Sequence, residues 1–196
     1  MTRRTFFSFH YKPDVNRAMV VRNSWLTQTD RESSGFFDSS VFESRKRTSD
    51  EALKQFLIDG LKGTSVTCVL VGAETYSRPW VQFELFRSFY RGNGILAIEI
   101  AGVSSFGKVS TQGPNPLGSI AFEAKDSVVT WKRKSGSEWK AYTEVPKMNL
   151  SDVAYDLGTR RNHTFSTIFP IYDWKADDGY NNLGRWIETA AQRAGK

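Results

Sequence analysis

Residues 65–89 constrain the fold more than any other part of the chain. Ser65-Val66-Thr67-Cys68-Val69-Leu70-Val71-Gly72 is an apolar, β-branched run, which predicts a buried strand. After a short polar loop, Pro79 opens a run in which Trp80, Phe83, Phe86 and Phe89 recur every third residue, the spacing of a helix. Glu84 therefore falls in the first turns of a helix that begins at the C-terminal end of a parallel strand. In open α/β sheets that edge is where ligands bind. Trp80 and Glu84 are four residues apart, so an indole and a carboxylate share one helical face. A flat aromatic beside a carboxylate suits a ligand with a flat ring and a carbon that becomes cationic.

The rest of the first hundred residues alternates in the same way. Arg4 to Tyr11 reads as a first strand, with Ser8 and His10 near its C-terminal end. Pro13-Asp14 opens a helix that carries Ala18, Val21 and Trp25 on one face. Gly35-Phe36-Phe37-Asp38 is a second short strand that ends in a carboxylate, and residues 39–47 are a polar, basic loop. Thr48-Ser49-Asp50-Glu51 has the form of a capping box. Behind it Leu53, Phe56, Leu57 and Leu61 make an amphipathic stripe, which Gly60 or Gly63 can end. Ile95 to Ile100 is a fourth strand after the turn Arg91-Gly92-Asn93-Gly94. The order β-α-β-α-β-α-β implies a parallel sheet flanked by helices and joined by right-handed crossovers.

The pattern changes near residue 101. Residues 102–117 are rich in Gly, Ser and Pro and include Gly113-Pro114-Asn115-Pro116. Residues 119–123, 127–132 and 138–142 look like short antiparallel strands, the last two split by Lys134-Ser135-Gly136-Ser137. Residues 151–157 suggest a short helix, and Ile168 to Trp174 an apolar, buried segment. A last helix carries Leu183, Trp186, Ile187 and Ala190, with the residues after Ala191 frayed. No flexible linker precedes residue 101. The expectation is one domain over 1–196: a βα core over 1–100 and a C-terminal antiparallel β/helical elaboration over 101–196 packed on it.

Composition narrows the function classes. With 196 residues, 39% hydrophobic and 14% aromatic, the chain can furnish one sizeable core. No apolar run is long enough to span a bilayer, and residues 1–5 lack the features of a secretory signal. One cysteine cannot form an internal disulfide, so the expected setting is reducing and cytoplasmic. The net charge is +6 and the pI about 9.5. The basic residues are scattered, however, and the runs Arg45-Lys46-Arg47 and Lys132-Arg133-Lys134 lack interleaved aromatics, so nucleic acid is not the expected partner. No Gly-x-Gly-x-x-Gly follows the first strand. There is no Walker lysine, zinc-ligand cluster or nucleophile elbow. Asp173, Asp177 and Asp178 read as helix caps, and no metal is expected.

Phe6-Phe7-Ser8-Phe9 resembles the first strand of Toll/interleukin-1 receptor (TIR) domains. Ser77-x-x-Trp80-x-x-x-Glu84-Leu85 resembles their Ser-x-Trp-Cys-x-x-Glu-Leu motif, with one extra residue between Ser and Trp and Val81 in place of Cys. Across nearly the whole chain the likeness is closer to a TIR-like family, the ThsB proteins of the bacterial Thoeris anti-phage system. Phe6 to Tyr11, Val21-Arg22-Asn23, Thr64 to Leu70, Gly113-Pro114-Asn115-Pro116 and the stretch from Tyr172 to Asn181 carry it. The resemblance implies a flavodoxin-like TIR-type fold and a sensor of phage infection that consumes NAD⁺. Such proteins make a cyclic ADP-ribose isomer that activates a partner effector, ThsA, which then depletes cellular NAD⁺. NAD⁺ is then substrate, and no resident cofactor is expected. The glutamate of the Trp…Glu motif is essential in TIR enzymes, which here is Glu84, and the family's aromatic at Trp80 lies against the nucleotide.

The remaining candidates come from position. Ser8, Phe9 and His10 end the first strand at the ligand-binding edge, Asp38 ends the second, and Phe83 lies between Trp80 and Glu84. Each has a structural alternative: strand termination for Ser8 and Phe9, a hydrogen-bonded structural role for His10, a cap for Asp38, and core for Phe83. Cys68, mid-strand among Val and Thr, reads as a small buried hydrophobe. Nicotinamide leaves as a neutral ring, so a lone carboxylate that steadies the cationic ribose suffices. Two other readings share the fold: a TIR-like adaptor that assembles with partners, itself included, and a nucleoside-deoxyribose transferase.

Overall fold

The computed structural model describes residues 3–27, 31–34, 48–158 and 161–196, with the side chains of 31–34 left aside. The βα alternation is realised as β1 (Arg3–Phe9), α1 (Tyr11–Leu26), β2 (Arg31–Ser34), α2 (Asp50–Leu61), β3 (Val66–Val71), α3 (Pro79–Tyr90) and β4 (Gly94–Glu99). The strand beside β1 thus lies earlier in the chain than the predicted 35–38, and Asp38 falls outside the described residues. Its sequence, Arg-Glu-Ser-Ser, has no apolar alternation, so hydrophobic periodicity could not find it; it sits at the sheet edge. α2 is capped by Ser49, whose side chain accepts from the Ala52 amide, where the sequence pointed to Thr48. Past its end Gly63 supplies the left-handed residue at φ 72°.

All pairings in the first sheet are parallel. A fifth strand, β10 (Ile171–Asp173), pairs with β4, giving the order β10-β4-β3-β1-β2. Counted along the chain this is the 2-1-3-4-5 arrangement of a flavodoxin-like sheet, whose direction of winding reverses between β1 and β3. The segment 168–174 is not the buried stretch expected, since Ile171 is exposed and Tyr172 and Trp174 are half-buried; it completes the parallel sheet at its edge. Its three-residue strand is too short to announce itself by alternation. The last helix, α4 (Gly179–Arg193), covers the same sheet and extends past Ala191; Ala194 is also buried, so the end is packed, not frayed.

Strand alternation sorts the core into two layers. Phe7, Cys68, Leu70, Leu96 and Ile98 pack with α1 and α4 residues such as Val21, Trp25, Leu183 and Ile187. Val69, Val71, Ile95 and Ala97 face the other way, onto α2 and α3. Cys68 behaves as the small hydrophobe expected; burial pushes its thiol pKa up.

The second sheet is antiparallel, in the order β7-β6-β5-β9, from β5 (Ile120–Lys125), β6 (Val128–Ser135), β7 (Glu138–Tyr142) and β9 (Asn162–Thr164). The two-residue β8 (Met148–Asn149) also pairs with β6. The expected helix over 151–157 is only a 3₁₀ turn at Leu150–Asp152. This sheet covers the outer side of α3. Phe86 stacks on Tyr142 at 4.6 Å, and Phe89 packs on Phe122, Trp131, Tyr155 and Phe165 at 5.0–5.5 Å. Phe89, Leu117, Phe122 and Trp131 belong to one core with Val69 and Leu53, so residues from both sides of position 101 share it. α3 is consequently buried between two sheets, which explains why apolar residues recur at every third position around it.

Candidate active site

The switch point between β1 and β3 is where the chemistry-bearing residues collect. Ser8 pairs in register with Val69 near the end of β1, and its side chain points to the α3 side of the sheet. From α3, Glu84 points back at it. The Ser8 hydroxyl donates a hydrogen bond to Glu84 Oε2, and the two residues are only 1% and 7% exposed. Glu84 does not pair with Arg87, whose guanidinium lies over the Tyr90 ring at 5.2 Å. On the side of α3 that faces the parallel sheet, the carboxyl is nearly cut off from water. Burial raises its pKa to about 8 against the opposing effect of the Ser8 hydrogen bond. The backbone below is fixed by a buried hydroxyl pair: Ser88 Oγ donates to the Glu84 carbonyl at 2.6 Å and meets Thr67 Oγ1 at 2.7 Å.

Trp80 lies one turn before Glu84 and is half-buried, with its ring edge-on to Phe83 at 6.2 Å. The structure thus brings Ser8 and Glu84 together, with Trp80 one turn earlier on the same helix. Phe83 is different: its side chain is 2% exposed and packs in the core, the structural alternative given for it. Phe9 is also turned away. Strand alternation sends it to the α1/α4 side of the sheet, where it stacks on Tyr11 at 5.9 Å. His10, the residue before α1, lies 3.8 Å from Glu74 on the loop after β3. Burial and the nearby Arg78 lower its pKa, partly countered by Glu74.

Several residues around this edge were not singled out by spacing. Asp14, in the first turn of α1, is 1% exposed, and its pKa rises to about 6 through burial. It abuts Gly72 so closely that a Cβ there would overlap the carboxylate. On the other side Gly113 packs on the Gly72 and Ala73 carbonyls, so the Gly-Pro-Asn-Pro stretch clamps the end of β3. Glu99, at the end of β4, is 6% exposed, and its pKa rises to about 7, by burial first and then by the adjacent Asp173. Glu74 and Arg78 form an ion pair across the β3–α3 loop. Their i, i+4 spacing was the available signal for that pair. A shallow pocket bounded by Ile95, Tyr155, Phe169 and Trp186 lies instead against the N-terminal half of β4, away from Glu84. Asp173 and Asp177 serve their own loop, accepting from backbone amides at 2.7–2.8 Å. No described helix is long and apolar enough to cross a membrane.

A five-stranded parallel sheet in this order, with a buried acid on the helix after β3 facing the end of β1, defines a TIR-like α/β domain. A family model described as "Thoeris protein ThsB, TIR-like domain" matches residues 6–105. A Bacillus cereus (strain MSX-D12) protein named "Putative cyclic ADP-D-ribose synthase ThsB1" is 36% identical over 194 residues, covering 95% of this chain and 100% of that protein. The chain belongs to the ThsB family of TIR-like proteins.

Proposed function

We propose that this chain senses phage infection within a Thoeris-type bacterial defence system, cleaving NAD⁺ with release of nicotinamide and making a cyclic ADP-ribose isomer as the signal. The observation that carries this reading is the buried Glu84 carboxyl held by Ser8 at the switch point, beside Trp80. The B. cereus relative, named as a cyclic ADP-D-ribose synthase, is similar along almost the whole chain and supports the same chemistry.

Cleavage of the nicotinamide–ribose bond leaves the electron pair with the ring, which departs neutral. The ribose carbon and ring oxygen then share a positive charge. An ionised Glu84 beside them stabilises that charge, and more strongly in a water-poor site than in solution. In the resting protein the carboxyl holds its proton near neutrality. A bound pyridinium cation next to it favours the carboxylate, so substrate binding and proton loss are coupled. Ser8 donates to the carboxylate and keeps it aimed. Trp80 offers an aromatic face to a flat ring. Cyclisation requires a second nucleophile of the same molecule to reach the ribose before water does. A carboxyl with 7% exposure suits that requirement.

In this reading the chain acts as one unit in the cytoplasm, and its effector ThsA is reached only through the diffusible cyclic nucleotide. A phage component is the trigger, and self-assembly is a route by which it could complete the site. The test is product analysis: incubate the protein with NAD⁺ and phage-infected lysate, and separate the products by mass spectrometry. Equal amounts of nicotinamide and a cyclic ADP-ribose isomer are expected. Linear ADP-ribose alone would replace the cyclase with a hydrolase, and no release under any trigger would leave the adaptor.

A further inference from the structure

The run Lys132-Arg133-Lys134 has no aromatic within it, but folding gives it one from across a hairpin. β6 and β7 are joined by the two-residue turn Gly136-Ser137, with Gly136 at φ 64°. Lys134 therefore lies opposite Trp139, Arg133 opposite Lys140 and Lys132 opposite Ala141. The Lys134 ammonium sits 5.5 Å from the centre of the Trp139 ring. Lys132 pairs with Glu123 at 2.7 Å, whereas Arg133, Lys134 and Lys140 have no carboxylate partner among the described residues. Glu138 to Ala141 are exposed on both faces of β7. β7 also ends the sheet order β7-β6-β5-β9, and no described strand pairs with its other side. At the root of the ribbon Tyr142 and Trp131 are buried against Phe86, which holds it in place. We propose that the free edge of β7 is a docking site for an extended, acidic polypeptide segment, which adds to the sheet as a further strand with a carboxylate beside Lys140 and an apolar residue on Trp139.

Backbone and side chains divide the recognition. Alternate amides and carbonyls of an edge strand point away from its sheet and bond to any extended backbone. Charge then selects the occupant. Lysine on an edge strand discourages pairing between copies of one chain. Two β7 strands centred on each other would set Lys140 against Lys140, and like charges directly opposite are unfavourable. An acidic strand reverses that sign. Arg133 and Lys140 share one face of the ribbon, so a carboxylate beside Lys140 meets two cations. On the other face Trp139, 39% exposed, offers an apolar surface flanked by Lys134. Nucleic acid would satisfy the charge but has no use for a free strand edge. Single-strand binders also stack several bases on successive aromatics, whereas Trp139 is the one exposed aromatic on β7. This docking requires neither Glu84 nor NAD⁺, so it is tested apart from the function proposed above.

The probe is a fluorescein-labelled peptide, Thr-Val-Glu-Val-Glu-Val-Thr, whose alternation puts Val on the Trp139 face and Glu on the Lys140 face. Its counterpart with Lys for each Glu and a short oligothymidylate are the comparisons. Binding to native protein, Lys140→Glu and Trp139→Ser is followed by fluorescence anisotropy, and amide exchange by mass spectrometry. Native protein binds the acidic peptide. Lys140→Glu weakens that binding about fivefold and tightens binding of the lysine peptide. Trp139→Ser weakens it about tenfold. Amides within 138–142 exchange about tenfold more slowly at a peptide concentration about ten times its Kd. Melting curves confirm that both variants fold, as expected for exposed side chains. No binding, equal affinity in all three proteins, or unchanged exchange in β7 overturns the proposal. Tighter binding of oligothymidylate than of the acidic peptide overturns it in favour of nucleic acid. Exchange in β7 that slows with rising protein concentration and no peptide gives the edge to a second copy instead.

Discussion

Glu84 shows how much a neighbour unseen in the local sequence can change a residue. Its spacing from Trp80 and its place after a parallel strand were readable directly. Its burial was not, because that depends on how α3 lies across the parallel sheet, where the carboxyl meets Ser8 of β1, seventy-six residues earlier. The consequence is a carboxyl whose folded pKa, about 8, lies above the ordinary value of 4.5. A raised folded pKa means the native state binds more protons than the unfolded chain between those values. The associated stability is complete below pH 4.5 and is lost as pH rises through 8. Glu84→Gln removes that loss. We expect its melting temperature to exceed the native value at pH 8 by an amount worth on the order of a few kcal/mol, with the difference closing by pH 5. Calorimetric melts across pH 5–9 measure it, and parallel curves for the two proteins would refute the buried-acid assignment. The same shift predicts that kcat/KM for NAD⁺ rises with pH up to about 8, because the free protein must lose the Glu84 proton. A profile flat from pH 6 to 9 would contradict it. Phe9 and Phe83 mark the limit of reading by adjacency. Each is next to a site residue in sequence, yet alternation in β1 turns the half-buried Phe9 to the α1/α4 side and packing of α3 turns Phe83 into the core.

At the scale of elements, strands and helices with strong periodicity were legible and short polar pieces were not. β1, β3, β4 and α1 to α3 follow from runs of apolar residues. β2 and β10 do not, since one is polar and the other has three residues; only their pairing with β1 and β4 defines them. The Gly-Pro-Asn-Pro stretch was visible as a motif, but its job is a contact. Gly113 seats the loop on the Gly72 and Ala73 carbonyls, while Gly72 is pressed on its other side by Asp14. Gly113→Ala must push backbone apart at the end of β3. We expect a loss of about 2 kcal/mol, read by urea denaturation, and lower activity from a displaced β3–α3 loop. Wild-type stability in that variant would show that the clamp is slack. Within α3, Phe89→Ala should cost about 3–5 kcal/mol, because its buried ring packs on Phe122, Trp131 and Phe165 of the antiparallel half.

For the whole molecule, the division near residue 101 describes the sequence better than the structure. The second half supplies the last parallel strand, the helix that covers Leu96 and Ile98, and the sheet that seals α3. Ending the chain after residue 105, the limit of the family match, would expose all of these surfaces. We expect such a fragment to be unfolded or aggregated, shown by loss of near-ultraviolet dichroism; a soluble, cooperatively melting fragment would mean that the first half is self-sufficient. The most direct measurement is nicotinamide release from NAD⁺ by native protein and Glu84→Gln in the same phage-infected lysate. We expect release by the native protein and a fall of at least about a thousandfold in the variant, with its fold intact by melting. Equal release by the two proteins would show that the buried carboxyl is not the group that steadies the sugar cation.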